Sequence, residues 1–440
     1  MRKLIILSIL TTLFLFIACN PQGIKENRLN AYDMELKLDP AFSTLSGRQT
    51  VTYYNNTGMT LENIKFNLYM NNEKFGGIKI LNVYGANVER SEITGEGKNI
   101  LDVRLIKPLG KNKRTAISID YIVTLTENKL RTGYYDGRYN LANFFPIVCF
   151  YSDGFIEGVY YPWGDPFVNE AANFNVKITL PSEYELAHAG QLKNKRAADK
   201  NIVYTIEHRK ARDFALCAIL DGKTVKSSVG GTEVISVAKN PTQAEAALNI
   251  AVSAIKTFSE YFTPYPYRTF TVVCTAYSAA GMEYPGLIFI DERLKDRDLE
   301  AVIIHETAHQ WWYGLVGSDS VNHAWMDEGL AELSVMLYYI LNDRRSDADR
   351  YRFYAEAGLN SFKELSGYLN ISIDMNKSLA EFSSEYEYIA VAYHMAFLMF
   401  AEIYDEMGGK AFQRAIRGYI RRYGYRMATP DDLKRVLPLQ

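Results

Sequence analysis

The sequence predicts an α+β chain of more than one domain, with an antiparallel β-sandwich-like region first and a mainly helical region after it. Three observations predict this. Residues from about 30 to 225 repeat short period-two apolar patterns broken by turn clusters, an alanine-rich segment opens helical spacing near residue 240, and beyond Asp298 the pattern is helical almost throughout. The chain has 440 residues, 48% of them hydrophobic, which is enough apolar surface for two or three domains. Net charge is −2 with both signs mixed and no Lys/Arg-rich block, so no nucleic-acid partner is expected.

Residues 1–19 read as a targeting segment. Met1-Arg2-Lys3 is basic, and Leu4 to Ala18 is an apolar run too short to span a bilayer comfortably. The ending Phe16-Ile17-Ala18-Cys19-Asn20 is similar to a bacterial lipobox, with Phe16 where Leu is usual. It carries the expectation that Cys19 is lipidated and that the protein is exported and anchored to a bacterial membrane, periplasmic or at the cell surface.

Residues 20–225 form the expected β domain. Tyr32, Met34, Leu36 and Leu38 alternate with charged residues, and Ile64, Phe66 and Leu68 repeat the pattern. Asn55-Asn56-Thr57-Gly58 and Gly95-Glu96-Gly97-Lys98 are turn clusters, and the alternation from Phe174 to Leu180 stops at Pro181. Cys149, Cys217 and Cys274 all sit in apolar runs. Three is a poor number for a disulfide framework, so they read as small buried hydrophobes.

Residues 226–440 form the expected second domain. Asn240-Pro241-Thr242 opens an Ala-rich helix to Phe262 with Thr242 as its N-cap, and Phe270 to Cys274 and Leu287 to Ile290 read as short strands. One helix is expected from Asp298 to Tyr313. It contains His305-Glu306-Thr307-Ala308-His309. Two His four apart project from one helix face and can reach one Zn²⁺, and Glu306 between them can act as general base on an activated water. Val302, Ile303, Ile304, Trp311 and Trp312 make the helix apolar, so its His residues are buried and need partners. A catalytic zinc takes three protein ligands. A second helix from about Trp325, carrying Asp327, Glu328 and Glu332, is expected to fold back antiparallel after a short loop and supply the third.

HExxH followed after eighteen residues by Glu328, with Gln310-Trp311-Trp312-Tyr313-Gly314 and Asp327-Glu328-Gly329-Leu330-Ala331 around it, resembles the gluzincin zinc aminopeptidases, the family of alanyl aminopeptidase and the leukotriene hydrolases. The resemblance implies one zinc per chain on His305, His309 and Glu328, with Glu332 in a supporting place and His323 a surface residue. Gly281-Met282-Glu283-Tyr284 is similar to the family's GxMEN motif, which makes Gly281, Met282 and Glu283 substrate-binding, with Glu283 on the substrate ammonium. Tyr284 departs from the family's Asn. Acyl transfer needs an O–H donor for the developing oxyanion, and the resemblance places it at Tyr393, with Tyr388 or Tyr386 next. It also implies a saddle-like N-terminal β domain, a thermolysin-like catalytic domain and, with the family's C-terminal helical domain missing after residue 440, a more open cleft. The implied function is removal of N-terminal residues from peptides outside the cytoplasm. The alternatives are a zinc endopeptidase of the same fold and a non-catalytic surface-anchored binding protein.

Overall fold

Residues 28–72 and 74–439 are described by a computed structural model, so the leader and Cys19 lie outside the described residues. The alternation that starts at Tyr32 becomes the strand Asn30–Asp39, with its apolar residues buried and its charged ones exposed. It lies in a seven-stranded sheet whose order is Gln191–Ala198, Asn201–Ala211, Ala172–Pro181, Asn30–Asp39, Thr44–Tyr54, Arg114–Leu125 and Gly76–Tyr84. Neighbours are antiparallel except for Asn30–Asp39 and Ala172–Pro181, which run parallel from Asn30 opposite Ala172. Two four-stranded sheets complete this half. The expected turns are present: Asn55 Oδ1 accepts from Thr57 N in an Asx turn, and Gly95 and Gly97 both take positive φ. Cys149, Cys217 and Cys274 are buried free thiols.

A second sheet system begins at Lys223–Val229, whose strand runs through residue 225. It continues through Thr232–Ala238, Thr269–Thr275 and Leu287–Asp291 to the edge strand Gly281–Tyr284, which is antiparallel to its neighbour. Thr269–Thr275 and Leu287–Asp291 are buried on both faces, which is why they read as unbroken apolar runs. Their alternate residues serve different cores. Val273, Leu287 and Phe289 pack toward the N-terminal sheets, whereas Phe270, Val272, Cys274, Ile288 and Ile290 pack toward the helices.

The helices are α1 (Pro241–Tyr261), α2 (Asp296–Ala308), α3 (Ser320–His323), α4 (Trp325–Leu341), α5 (Arg345–Leu369), α6 (Glu385–Tyr388), α7 (Ala396–Met407), α8 (Gly409–Tyr423) and α9 (Pro430–Lys434), with a π-helical stretch at Ile389–Met395 between α6 and α7. Two expectations need correcting. The N-cap of α1 is Asn240, two residues before the expected Thr242; its side chain accepts from Thr242 N and Gln243 N, and Pro241, which lacks a donor, takes the first helical position. The HExxH helix ends at Ala308, not Tyr313. Gln310 N and Trp311 N tighten onto carbonyls three residues back, and Tyr313 turns to φ 144°. The link to α4 is therefore a folded turn plus α3 rather than a short loop.

Candidate active site and metal centre

Helix geometry puts His305 one turn before His309, and the tight turn that follows fixes the second ring. His309 Nδ1 lies 2.9 Å from Trp312 O. A donor at Nδ1 there leaves the Nε2 lone pair free for a ligand. His305 Nδ1 lies 2.8 Å from Glu332 Oε1, and Tyr351 Oη donates to the other Glu332 oxygen at 2.9 Å. The two Nε2 atoms face each other at 3.0 Å. From α4, Glu328 Oε2 comes within 3.3 Å of each. Two imidazole nitrogens and one carboxylate oxygen thus converge from two helices, all buried. That donor set and convergence fit Zn²⁺ with an open fourth position. Among the described residues, His323 and Tyr386 are not brought to this cluster. His323 is half-buried in α3, and Tyr386 lies 44% exposed against Phe362.

The edge strand sets the other wall. Glu283 is paired with Ile288 across the strands and shares the helix-facing side with it. It lies with Glu306 and His309 in a second buried group whose ligand atoms are within 4.8 Å of one another. Gly281 is required by contact: a Cβ there would collide with the Glu306 carboxylate. Met282 and Tyr284 point to the opposite side. Tyr284 packs on Phe289 at 5.2 Å, so the departure from Asn places its ring under the sheet and not in the cleft. Gln310, next to His309, donates to Tyr284 O at 3.1 Å and accepts from Gly286 N at 2.8 Å. These two bonds tie the edge strand to the HExxH turn.

Gly281, Met282, Glu283, His305, Glu306, His309 and Glu328 line one cavity of about 520 Å³, together with Tyr388 and Tyr393 from the π-helical region. Tyr393 stacks on the His305 ring at 5.8 Å. The N-terminal domain contributes Phe75, Leu130, Arg131, Tyr160, Trp163 and Asp165. Arg131 is ion-paired with Asp165 at 2.5 Å. Sequence reasoning missed this wall, because Arg131 and Asp165 lie far from the HExxH segment in sequence and carry no local pattern.

The electrostatics follow from burial. Desolvation pushes the Glu306 carboxyl up to about 7 and that of Asp327 also to about 7, and it raises Glu283 well above the carboxylate range. Burial works against protonating His309, but Glu283 and Glu328 outweigh it and raise the imidazole to about 10. For Glu328 burial is likewise outweighed, here by His305 and His309, so its carboxylate is held below the ordinary range. Buried carboxylates crowd two imidazoles, and the cluster favours added positive charge.

Residues 246–439 match the peptidase family M1 domain. Aminopeptidase M1-B of Oryza sativa subsp. japonica is 25% identical over 296 residues, 62% of this chain and 33% of the relative. Aminopeptidase M1-A of the same plant is 27% identical over 206 residues, 43% of this chain and 23% of the relative. The chain spans about a third of the length, or less, of these curated relatives. The M1 zinc metallopeptidase of Deinococcus radiodurans shares the fold, with a TM-score of 0.69 at 18% identity over 93% of this chain and 89% of that one. A mutant of it bound to a Tyr-Ser-Ala substrate matches with a TM-score of 0.65 at 17% identity over the same shares.

Proposed function

We propose that this protein is a zinc aminopeptidase that hydrolyses the N-terminal residue from peptides, a reading supported by the match of residues 246–439 to the peptidase family M1 domain. The observation that carries the reading is the convergence of His305, His309 and Glu328 beside Glu306 and Glu283 in one cavity. His305 Nε2, His309 Nε2 and Glu328 Oε2 would hold the zinc, which when bound supplies Lewis-acid polarisation of the scissile carbonyl and makes water acidic enough to attack near neutral pH. Glu306 accepts the proton of the attacking water at a carboxylate oxygen and returns it to the leaving amine. A carboxyl raised by burial to about 7 suits a group that must both take and give a proton near neutrality. Glu283 binds the substrate ammonium, a pairing that offsets the desolvation of its own charge. Tyr393 Oη donates to the oxygen that becomes negative as the carbonyl is attacked.

The test is hydrolysis of aminoacyl fluorogenic amides with and without chelator, together with peptides carrying a free or N-acetylated first residue. Loss of activity with chelator and preference for the free amine are expected. Equal rates on acetylated peptides would point to an endopeptidase, and no hydrolysis of a broad peptide library to a binding protein. The lipobox-like ending at Cys19 supports export and membrane anchoring. Radiolabelled palmitate should enter the wild-type chain and not Cys19→Ser.

A further inference from the structure

The helical run Glu385–Met407 changes pitch in its middle. α6 and α7 are α-helical, but Ile389–Met395 winds as a π-helix, and Ala396 N reaches back five residues to Val391 O. In an α-helix, residues five apart diverge by roughly 140° around the axis. The wider turn lessens that divergence for Tyr388 and Tyr393. Both reach the cavity, and their rings meet edge to face at 5.6 Å.

The two tyrosines are held differently. Tyr388 is 3% exposed and meets Phe382 edge to face at 5.4 Å. Gly164, at φ +73°, leaves it room from the N-terminal domain: a Cβ there would stand 3.2 Å from Tyr388 Cζ and 2.6 Å from Leu379 Cδ2. The adjacent Trp163 Nε1 donates to Leu379 O at 2.9 Å. So enclosed, the Tyr388 hydroxyl donates to Glu328 Oε1 at 3.4 Å, while Glu328 Oε2 is the oxygen that faces both imidazoles.

We infer that Tyr388 is a positioning residue that occupies Oε1 of Glu328, so that only Oε2 is offered to the ion. A carboxylate free to turn could present both oxygens and fill the coordination position a reaction needs open. Tyr388 acts through Glu328 and touches no reacting atom. Gly164 and Trp163 make its placement depend on docking of the N-terminal domain. The inference rests on reading His305, His309 and Glu328 as ligands.

The test is zinc affinity of the full chain, measured by competition with a chromophoric chelator. For Tyr388→Phe the dissociation constant is expected to rise about 10- to 100-fold, with the melting temperature of the metal-free protein unchanged and kcat largely restored at saturating zinc. Tyr393→Phe is expected to lose kcat at any zinc concentration. If Tyr388→Phe proves destabilised without metal, the visible spectrum of the Co²⁺-loaded protein decides: a changed ligand-field band supports the assignment and an unchanged one overturns it. Zinc uptake equal in wild type and Tyr388→Phe overturns this inference alone. No zinc uptake by the wild type overturns the ligand reading, and this inference with it.

Discussion

Gly281 leaves the space that Glu306 occupies. Its φ is unexceptional, and what forbids a side chain there is the carboxylate beside it. Gly281→Ala should therefore displace Glu306 and lower kcat by about 100-fold, since a shift of about 1 Å at a reacting group costs that much. Zinc content should stay at the wild-type level. Steady-state kinetics with metal analysis checks both points. Glu306→Gln retains the shape and loses the proton acceptor, so kcat should fall by about 10²- to 10⁴-fold with zinc still bound. The spacing in HExxH makes the pair of imidazoles legible because it is a property of one helix turn. Glu332 shows the limit of such reasoning. One turn on from Glu328, it competes for the metal on helix geometry alone; the motif spacing singles out Glu328 and gives Glu332 a supporting place, and the fold shows which atom it supports, Nδ1 of His305.

At the scale of elements, the edge strand is held from both sides. Gln310 ties it to the HExxH turn, and His208 from the N-terminal sheet donates through Nε2 to Pro285 O at 2.8 Å. Burial lowers His208 to about 4, so the folded chain keeps the ring neutral where the unfolded chain protonates it. Stability should then be intact above pH 6.5 and lost progressively as pH falls from 6.5 to about 4, by up to about 3 kcal/mol. Thermal melts across that window should show a slope that His208→Gln flattens. A second clamp is Arg212, fully buried, which donates to Tyr313 O at 2.6 Å, Arg426 O at 2.8 Å and Asn169 O at 3.1 Å. Arg212→Met should cost at least about 3 kcal/mol in urea unfolding, because buried carbonyls lose a charged donor. Neither clamp is legible in the sequence. A buried Arg and a neutral His look like surface residues until their acceptors are known.

For the whole molecule, the sharing of the second sheet between two cores has a direct consequence. Residues 226–440 expressed alone would expose Val273, Tyr277, Tyr284, Leu287 and Phe289, and should be insoluble or fail to give a cooperative melt. Metal joins the same account. An ion that binds only the folded chain stabilises it by about 4 kcal/mol at a thousand times its dissociation constant, so chelation should lower the melting temperature and zinc should restore it. What the sequence determined by itself was local and periodic: the strand alternation from Tyr32, the apolar strands around residues 270 and 290, and two imidazoles on one helix face. These follow from repeats of two and 3.6 residues that any segment carries within itself. The tertiary structure alone decided where α2 stops, which way Tyr284 points, which oxygen of Glu328 faces the imidazoles, and that Arg131, Asp165 and Trp163 close the cavity from the other domain. Those depend on contacts between residues tens to hundreds of positions apart, for which a single sequence carries no period to read.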